Sequence, residues 1–214
     1  MFEKKMVVIL AVAVIAGVAI GYFAFVRRPH WQTNADEAAT GVDEKGHPWF
    51  GAKNPKVIIH EYLDYECPHC TSAHRVLRSV IARDLDEVRI VRHDYARTPC
   101  VQKVGDETTM LCPMVRAASC AAKHISYWKW NDMLMAQPRH ETDKGIDVYL
   151  ADMVTKLKLP EAEFQKCFDS VENAEKAQKL YLETRDAKVS ATPTYIVNDK
   201  VYTPSELFEM LETL

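Results

Sequence analysis

Residues 56–84, "KVIIHEYLDYECPHCTSAHRVLRSVIARD", change their period in mid-stretch. The opening "KVIIHEYLDY" is apolar and β-branched enough for a buried strand, whereas Val76, Leu77, Val80 and Ile81 recur at helical spacing. A strand that turns directly into a helix commits the chain to layered α/β packing. The turn itself falls on Cys67-Pro68-His69-Cys70.

Downstream, "EVRIVRHDYA" (87–96) reads as a second strand in which Val88, Ile90 and His93 alternate with Arg89 and Arg92. Periodicity is lost between Thr98 and Thr109. From Pro113 to about Asp186 the pattern is helical, with breaks near Gln137-Pro138, Asp143 to Gly145 and Leu159-Pro160. "TPTYIVNDKVY" (192–202) then gives two short strands around Asn198-Asp199, a hairpin signal, and "PSELFEMLETL" closes as a helix with Leu207, Met210 and Leu211 on one face. The expected fold is α/β, a mixed central sheet covered by helices, with a helical insertion at about 98–186.

At 214 residues and 48% hydrophobic, the chain can bury a core of ordinary size. Residues 6–26 carry no charge and reach roughly 31 Å as a helix, against a hydrocarbon core of about 30 Å. They predict a membrane anchor over 1–28, followed by a tether over 29–47 and a folded domain over 48–214. A cleaved signal is the rival reading, but its apolar region would be shorter, and no small-x-small site follows Val26. Lys4 and Lys5 on one flank nearly balance Arg27 and Arg28 on the other, so charge alone does not orient the anchor. Six cysteines favour an oxidising compartment, which places the domain outside the cytoplasm, periplasmic or otherwise extracytoplasmic. Lys4, Lys5, Arg27 and Arg28 against Glu3 leave +3 on residues 1–30; taken from the total of −3, the rest is at −6. No basic face for nucleic acid is indicated.

A cysteine at a helix start meets unpaired N–H groups and the positive end of the helix dipole, which favour thiolate over thiol. Cys67 has that position. Pro68 suits the first helical turn, His69 can add a donor or charge beside the sulfur, and Cys70 returns to the same face to close a disulfide. A purely structural disulfide needs no such position. Zinc held by Cys67, Cys70 and His74 is a competitor, although no second pair stands at zinc-ribbon spacing. Covalent haem attachment requires His where Thr71 stands.

"EYLDYECPHC" together with "VSATPTYIVN" resembles the thioredoxin superfamily, and within it the DsbA-like thiol-disulfide oxidoreductases, over roughly residues 47–214. The resemblance implies a thioredoxin fold with an inserted helical domain and no cofactor. Cys67 would be the exposed attacking cysteine and Cys70 the buried resolving one. Thr192-Pro193 would be a cis-proline loop offering backbone to a substrate strand, and Glu61 a buried acid relaying a proton behind the pair. An exposed strand glutamate is the plainer reading of Glu61. The implied activity introduces disulfides into exported proteins with free thiols. Reoxidation would come from a quinone-linked membrane oxidase of the DsbB or vitamin K epoxide reductase type.

A monomer is expected, since residues 29–47 are too short for a dimerisation module. A reductase or isomerase using the same pair, or a non-catalytic metal-binding module, are the alternatives. Four further cysteines depart from the simplest members of the family. We expect Cys100 to pair with Cys112 and Cys120 with Cys167, closing 13 and 48 residues, worth roughly 3 and 4 kcal/mol in the loop-entropy account. Stabilisation is their plain role. A second redox shuttle is the sharper one for Cys100 and Cys112, and a buried free thiol is the alternative for Cys167.

Overall fold

The computed structural model describes residues 38–81, 87–104 and 107–213. The expected anchor, 1–28, and residues 29–37 of the expected tether lie outside them. Among the described residues no helix is long and apolar enough to cross a membrane.

Six strands form the main sheet: β1 (Thr40–Val42), β2 (Pro48–Gly51), β3 (Val57–Leu63), β4 (Val88–Asp94), β7 (Thr194–Val197) and β8 (Lys200–Tyr202), in the order β1-β2-β4-β3-β7-β8. β3 and β4 run parallel, and every other pairing is antiparallel, which gives the expected mixed sheet. Between β3 and β4 lies α1 (Pro68–Ile81), a crossover of the kind a parallel pair requires. β5 (Val101–Val104) and β6 (Glu107–Met110) make a separate hairpin. Five helices follow: α2 (Pro113–Ala121), α3 (Tyr127–Ala136), α4 (Ile146–Lys156), α5 (Glu161–Phe168) and α6 (Val171–Asp186); α7 (Pro204–Leu211) ends the fold.

Local chemistry explains several boundaries. The Thr203 side chain accepts from the Glu206 N–H while the Glu206 carboxylate accepts from the Thr203 N–H, a reciprocal cap that starts α7. The Ser170 hydroxyl accepts from the Asn173 N–H to start α6. Asn198 and Asp199 take φ of 50° and 62°, as a two-residue hairpin between β7 and β8 demands. Gly51 sits at φ 112°, where an added Cβ would fall 2.3 Å from the Val88 carbonyl oxygen; only glycine lets β2 leave β4 there.

Three expectations change. Residues 40–47, read as tether, supply β1 and the turn into β2, and the Trp49 carbonyl accepts from the Trp128 indole N–H of α3. The stretch read as a helical insertion opens with the β5–β6 hairpin. Arg92, placed on the exposed side of its strand, is buried, because Glu61 stands opposite it in register and supplies the counter-charge. On α1 the inward positions are Ala73, His74, Leu77 and Arg78, whereas Val76 is 45% exposed. Burying a side chain such as Leu77 contributes roughly 1.5–3 kcal/mol.

One apolar cluster joins Leu63, Tyr65, Cys67 and Cys70 to Trp130, Leu134, Tyr149 and Phe164 of the helical block. The helices thus form one wall of the cysteine pair's surroundings.

Candidate active site

β3 ends at Leu63 and α1 begins at Pro68, so Cys67 is the residue that enters the helix. Its N–H donates to the Asp64 carbonyl at 3.2 Å, and its own carbonyl accepts from the N–H groups of Cys70 at 3.0 Å and Thr71 at 3.3 Å. Pro68 and His69 are exposed at the helix start. Both cysteines are free thiols and both are buried; Cys67, expected to be exposed, keeps 7% of its surface open, whereas Cys70 is sealed off. Burial pushes the Cys70 thiol up to about 12, so in the reduced state Cys70 keeps its proton.

Thr192-Pro193 is a cis peptide bond, and the Thr192 carbonyl oxygen lies 3.5 Å from Cys67 Sγ. The loop that precedes β7 therefore faces the sulfur at the mouth of the site. Asp64 and Glu66 flank Cys67, and each carboxylate is held by an arginine, Arg97 and Arg139 respectively.

Behind the pair runs a chain of buried charge. Glu61 is fully buried, with Oε2 3.2 Å from Arg92 Nη1 and 3.7 Å from His74 Nδ1. Burial alone would raise its pKa; the hydrogen bonds and charges of His74 and Arg92 outweigh burial and hold the carboxyl below its usual range. His74 lies one turn beyond Cys70 on α1, and its Nε2 is 3.2 Å from Asp132, which Arg78 holds at 2.7 Å. In the other direction Arg92 reaches Asp94, which accepts from the Tyr127 hydroxyl at 2.5 Å, and Tyr127 in turn meets Tyr65 at 2.8 Å. Tyr195 stands opposite Glu61 in register, and its buried hydroxyl has no hydrogen-bond partner among the described residues.

The structure therefore brings Cys67, Pro68, His69, Cys70, Thr192 and Pro193 to one mouth, with Glu61 behind them. The remaining cysteines are elsewhere: Cys100 bonds Cys112, and Cys120 bonds Cys167. Sequence reasoning missed Arg92, Asp132 and Tyr195 as members of the buried chain. None of the three carried a signal: β4 also holds Arg89, His93 and Asp94, so Arg92 does not stand out there, and Asp132 and Tyr195 gain their places only from the fold. Both ring nitrogens of His74 are turned towards carboxylates. Among the described residues no group of three or more His, Cys, Asp or Glu side chains is arranged to hold a metal.

The thioredoxin family model matches residues 43–214. The chain is 26% identical over 167 residues to disulfide bond formation protein D of Bacillus subtilis (strain 168), covering 73% of this chain and 70% of that one. It is 24% identical over 156 residues to the Na+/H+ antiporter NhaA 3 of Salinispora tropica, covering 70% of this chain but only 21% of the antiporter's length. MdbA, a thiol-disulfide oxidoreductase from Corynebacterium diphtheriae, superposes with a TM-score of 0.60 at 18% identity, over 80% of this chain and 92% of that one, a likeness of fold. The family match takes in every element from β2 through α7, and the chain belongs to the thioredoxin family.

Proposed function

We propose that this chain is a thiol-disulfide oxidoreductase that introduces disulfides into exported proteins through Cys67 and Cys70. The observation that carries the reading is the placement of Cys67, at the start of α1 and 3.5 Å from the carbonyl of a cis-proline loop, with Cys70 sealed behind it. The helix start favours a thiolate leaving from Cys67. The open backbone of the loop suits a substrate strand, and burial leaves Cys70 out of reach of any substrate thiol.

In the oxidised enzyme a substrate thiolate attacks Cys67 Sγ, the Cys67–Cys70 bond breaks, and Cys70 departs and takes up a proton. The substrate's second thiolate then attacks its own sulfur in the mixed disulfide and releases Cys67 as thiolate. Two electrons and two protons leave the substrate. Glu61, held below its usual range by His74 and Arg92, relays the Cys70 proton between solvent and that sulfur in both directions, as Cys70 leaves and as it attacks. Reoxidation falls to a quinone-linked membrane oxidase, reached from a domain tethered outside the cytoplasm by residues 1–28. Two further disulfides and the name of the Bacillus subtilis relative support that compartment and that direction. The enzyme works as a monomer.

The test mixes oxidised full-length protein with a reduced, unfolded substrate carrying two cysteines. The substrate should gain a disulfide as Cys67 and Cys70 become reduced. Cys67→Ala abolishes the transfer, and so does Cys70→Ala, because either change leaves no Cys67–Cys70 bond for the substrate thiolate to open. The reading fails if the substrate's thiols persist, or if the reduced protein instead opens disulfides already formed in the substrate.

A further inference from the structure

Two helices of the domain begin alike. α1 is entered through Cys67 and Pro68, with the partner cysteine, Cys70, fully buried. α2 is entered through Cys112 and Pro113, and its partner, Cys100, is also fully buried while Cys112 remains partly exposed. Proline as first helical residue wastes no N–H, so at both helices the positive end of the dipole lies beside the outer sulfur. Arg116 adds a guanidinium next to this second site, its Nη1 3.2 Å from the Met110 carbonyl and 3.5 Å from that of Leu111.

Two independent observations separate this disulfide from Cys120–Cys167. Cys112 has φ of 54°, a left-handed conformation that residues with a Cβ seldom adopt and that opening the bond would free. The second concerns position. The Thr98 carbonyl oxygen lies 3.4 Å from Cys112 Sγ and 3.9 Å from Cys100 Sγ, and the preceding residue, Arg97, holds Asp64, whose carbonyl accepts from the Cys67 N–H. Both sulfur pairs thus sit beyond the same ends of the parallel strands β3 and β4. Cys120 and Cys167, by contrast, lie within α2 and α5, are both buried, and start no helix.

We propose that Cys100–Cys112 is a second redox-active disulfide, opened at Cys112 by a dithiol, beyond the exchange assigned to Cys67 and Cys70. One thiolate of the dithiol attacks Cys112 Sγ, the bond to Cys100 breaks, and Cys100 takes the displaced proton as a buried thiol. The dithiol's second thiolate then attacks its own bonded sulfur and releases Cys112 as a thiolate at the start of α2. The dithiol loses two electrons and two protons; Cys100 and Cys112 gain both electrons, Cys100 keeps one proton, and the other passes to solvent. Reversal requires only a disulfide of the same class.

The experiment uses the full chain carrying Cys67→Ser and Cys70→Ser, which removes the first pair and makes the result independent of its direction. The protein is titrated with dithiothreitol under native conditions, quenched, alkylated and mapped by mass spectrometry, with helical content followed by circular dichroism. Cys100 and Cys112 should open while Cys120–Cys167 and the helical signal persist. After reduction, Cys112 should alkylate at least about tenfold faster than Cys100. Should the double variant fail to fold, the same titration on the unmutated protein, after reduction and alkylation of Cys67, reads the same bond. Opening of both disulfides together, only as the helical signal is lost, would overturn the proposal; so would Cys100 reacting as fast as Cys112.

Discussion

The two faces of the β3–β4 pair bury polar side chains in opposite states. On one face Glu61 and Arg92 stand opposite each other at 3.2 Å, with His74 and Asp132 continuing the chain of charge. On the other, His60 Nδ1 meets His93 Nε2 at 3.0 Å, and His47 rests on His93 with ring centroids 4.2 Å apart. Tyr62 stacks on His93 from the same side. Charge survives burial on the first face because each group is its neighbour's counter-ion. Burial pushes the His93 pKa down to about 2, and His47, His60, Arg92 and Lys45 add to the push, so this ring stays neutral. The lesson concerns location: a buried charge can serve the cysteine pair only on the face where the sequence supplies both signs, and that is the face α1 covers.

The largest expected effect comes from breaking the charged pair. Arg92→Leu leaves Glu61 buried without its guanidinium and should cost about 3–5 kcal/mol in urea unfolding, whereas adding Glu61→Leu to it should recover much of that loss. Acid should separate the faces next. The folded pKa of His93 lies below its unfolded value, so between about pH 6.5 and 4.5 the unfolded chain binds a proton that the folded chain refuses. Stability therefore falls with pH in that window by roughly 1.4 kcal/mol per pH unit for this one proton. His93→Gln should flatten the slope. Glu61 and Asp132 are depressed acids, so their contribution is intact throughout that window and is lost only as pH falls further, through their folded pKa values.

A smaller effect is expected at the joint of the charged chain. His74→Leu should cost about 1–3 kcal/mol, measured by thermal unfolding, because Asp132 and Glu61 each lose a partner. The smallest belongs to the same chemistry in water: Lys56 and Glu87 pair at 2.5 Å with Lys56 72% exposed, and Lys56→Ala should leave the Tm unchanged.

Much of this architecture is legible in the sequence, and the exceptions have physical causes. The strand-to-helix switch at Cys67, the Asn198-Asp199 hairpin and the closing helix are local signals, carried by residues whose conformation depends little on distant partners. β1 and β2 are three and four residues long and lie in a polar, glycine-containing stretch, so their identity comes from pairing, β1 with β2 and β2 with β4, which a local pattern does not record. The β5–β6 hairpin is equally short, though the sequence Gly105-Asp106 between two brief alternating runs is a turn signal. Charge misleads most. Arg92 reads as lying on the polar side of its strand, yet it is buried because Glu61, remote in sequence, neutralises it; Asp132 does the same for buried Arg78. At the site, the cysteine pair and Pro193 announce themselves by motif. Glu61 does so only by its place in a strand, and His74 acquires its partners from the fold.

The most direct test of the account is the redox equilibrium of the full-length protein against glutathione, with alkylation of Cys67 followed across pH in the same samples. An oxidising couple is expected, with Cys67 alkylated while Cys70, whose thiol burial pushes up to about 12, stays protected. A strongly reducing couple, or a Cys70 that alkylates as readily as Cys67, would contradict that expectation.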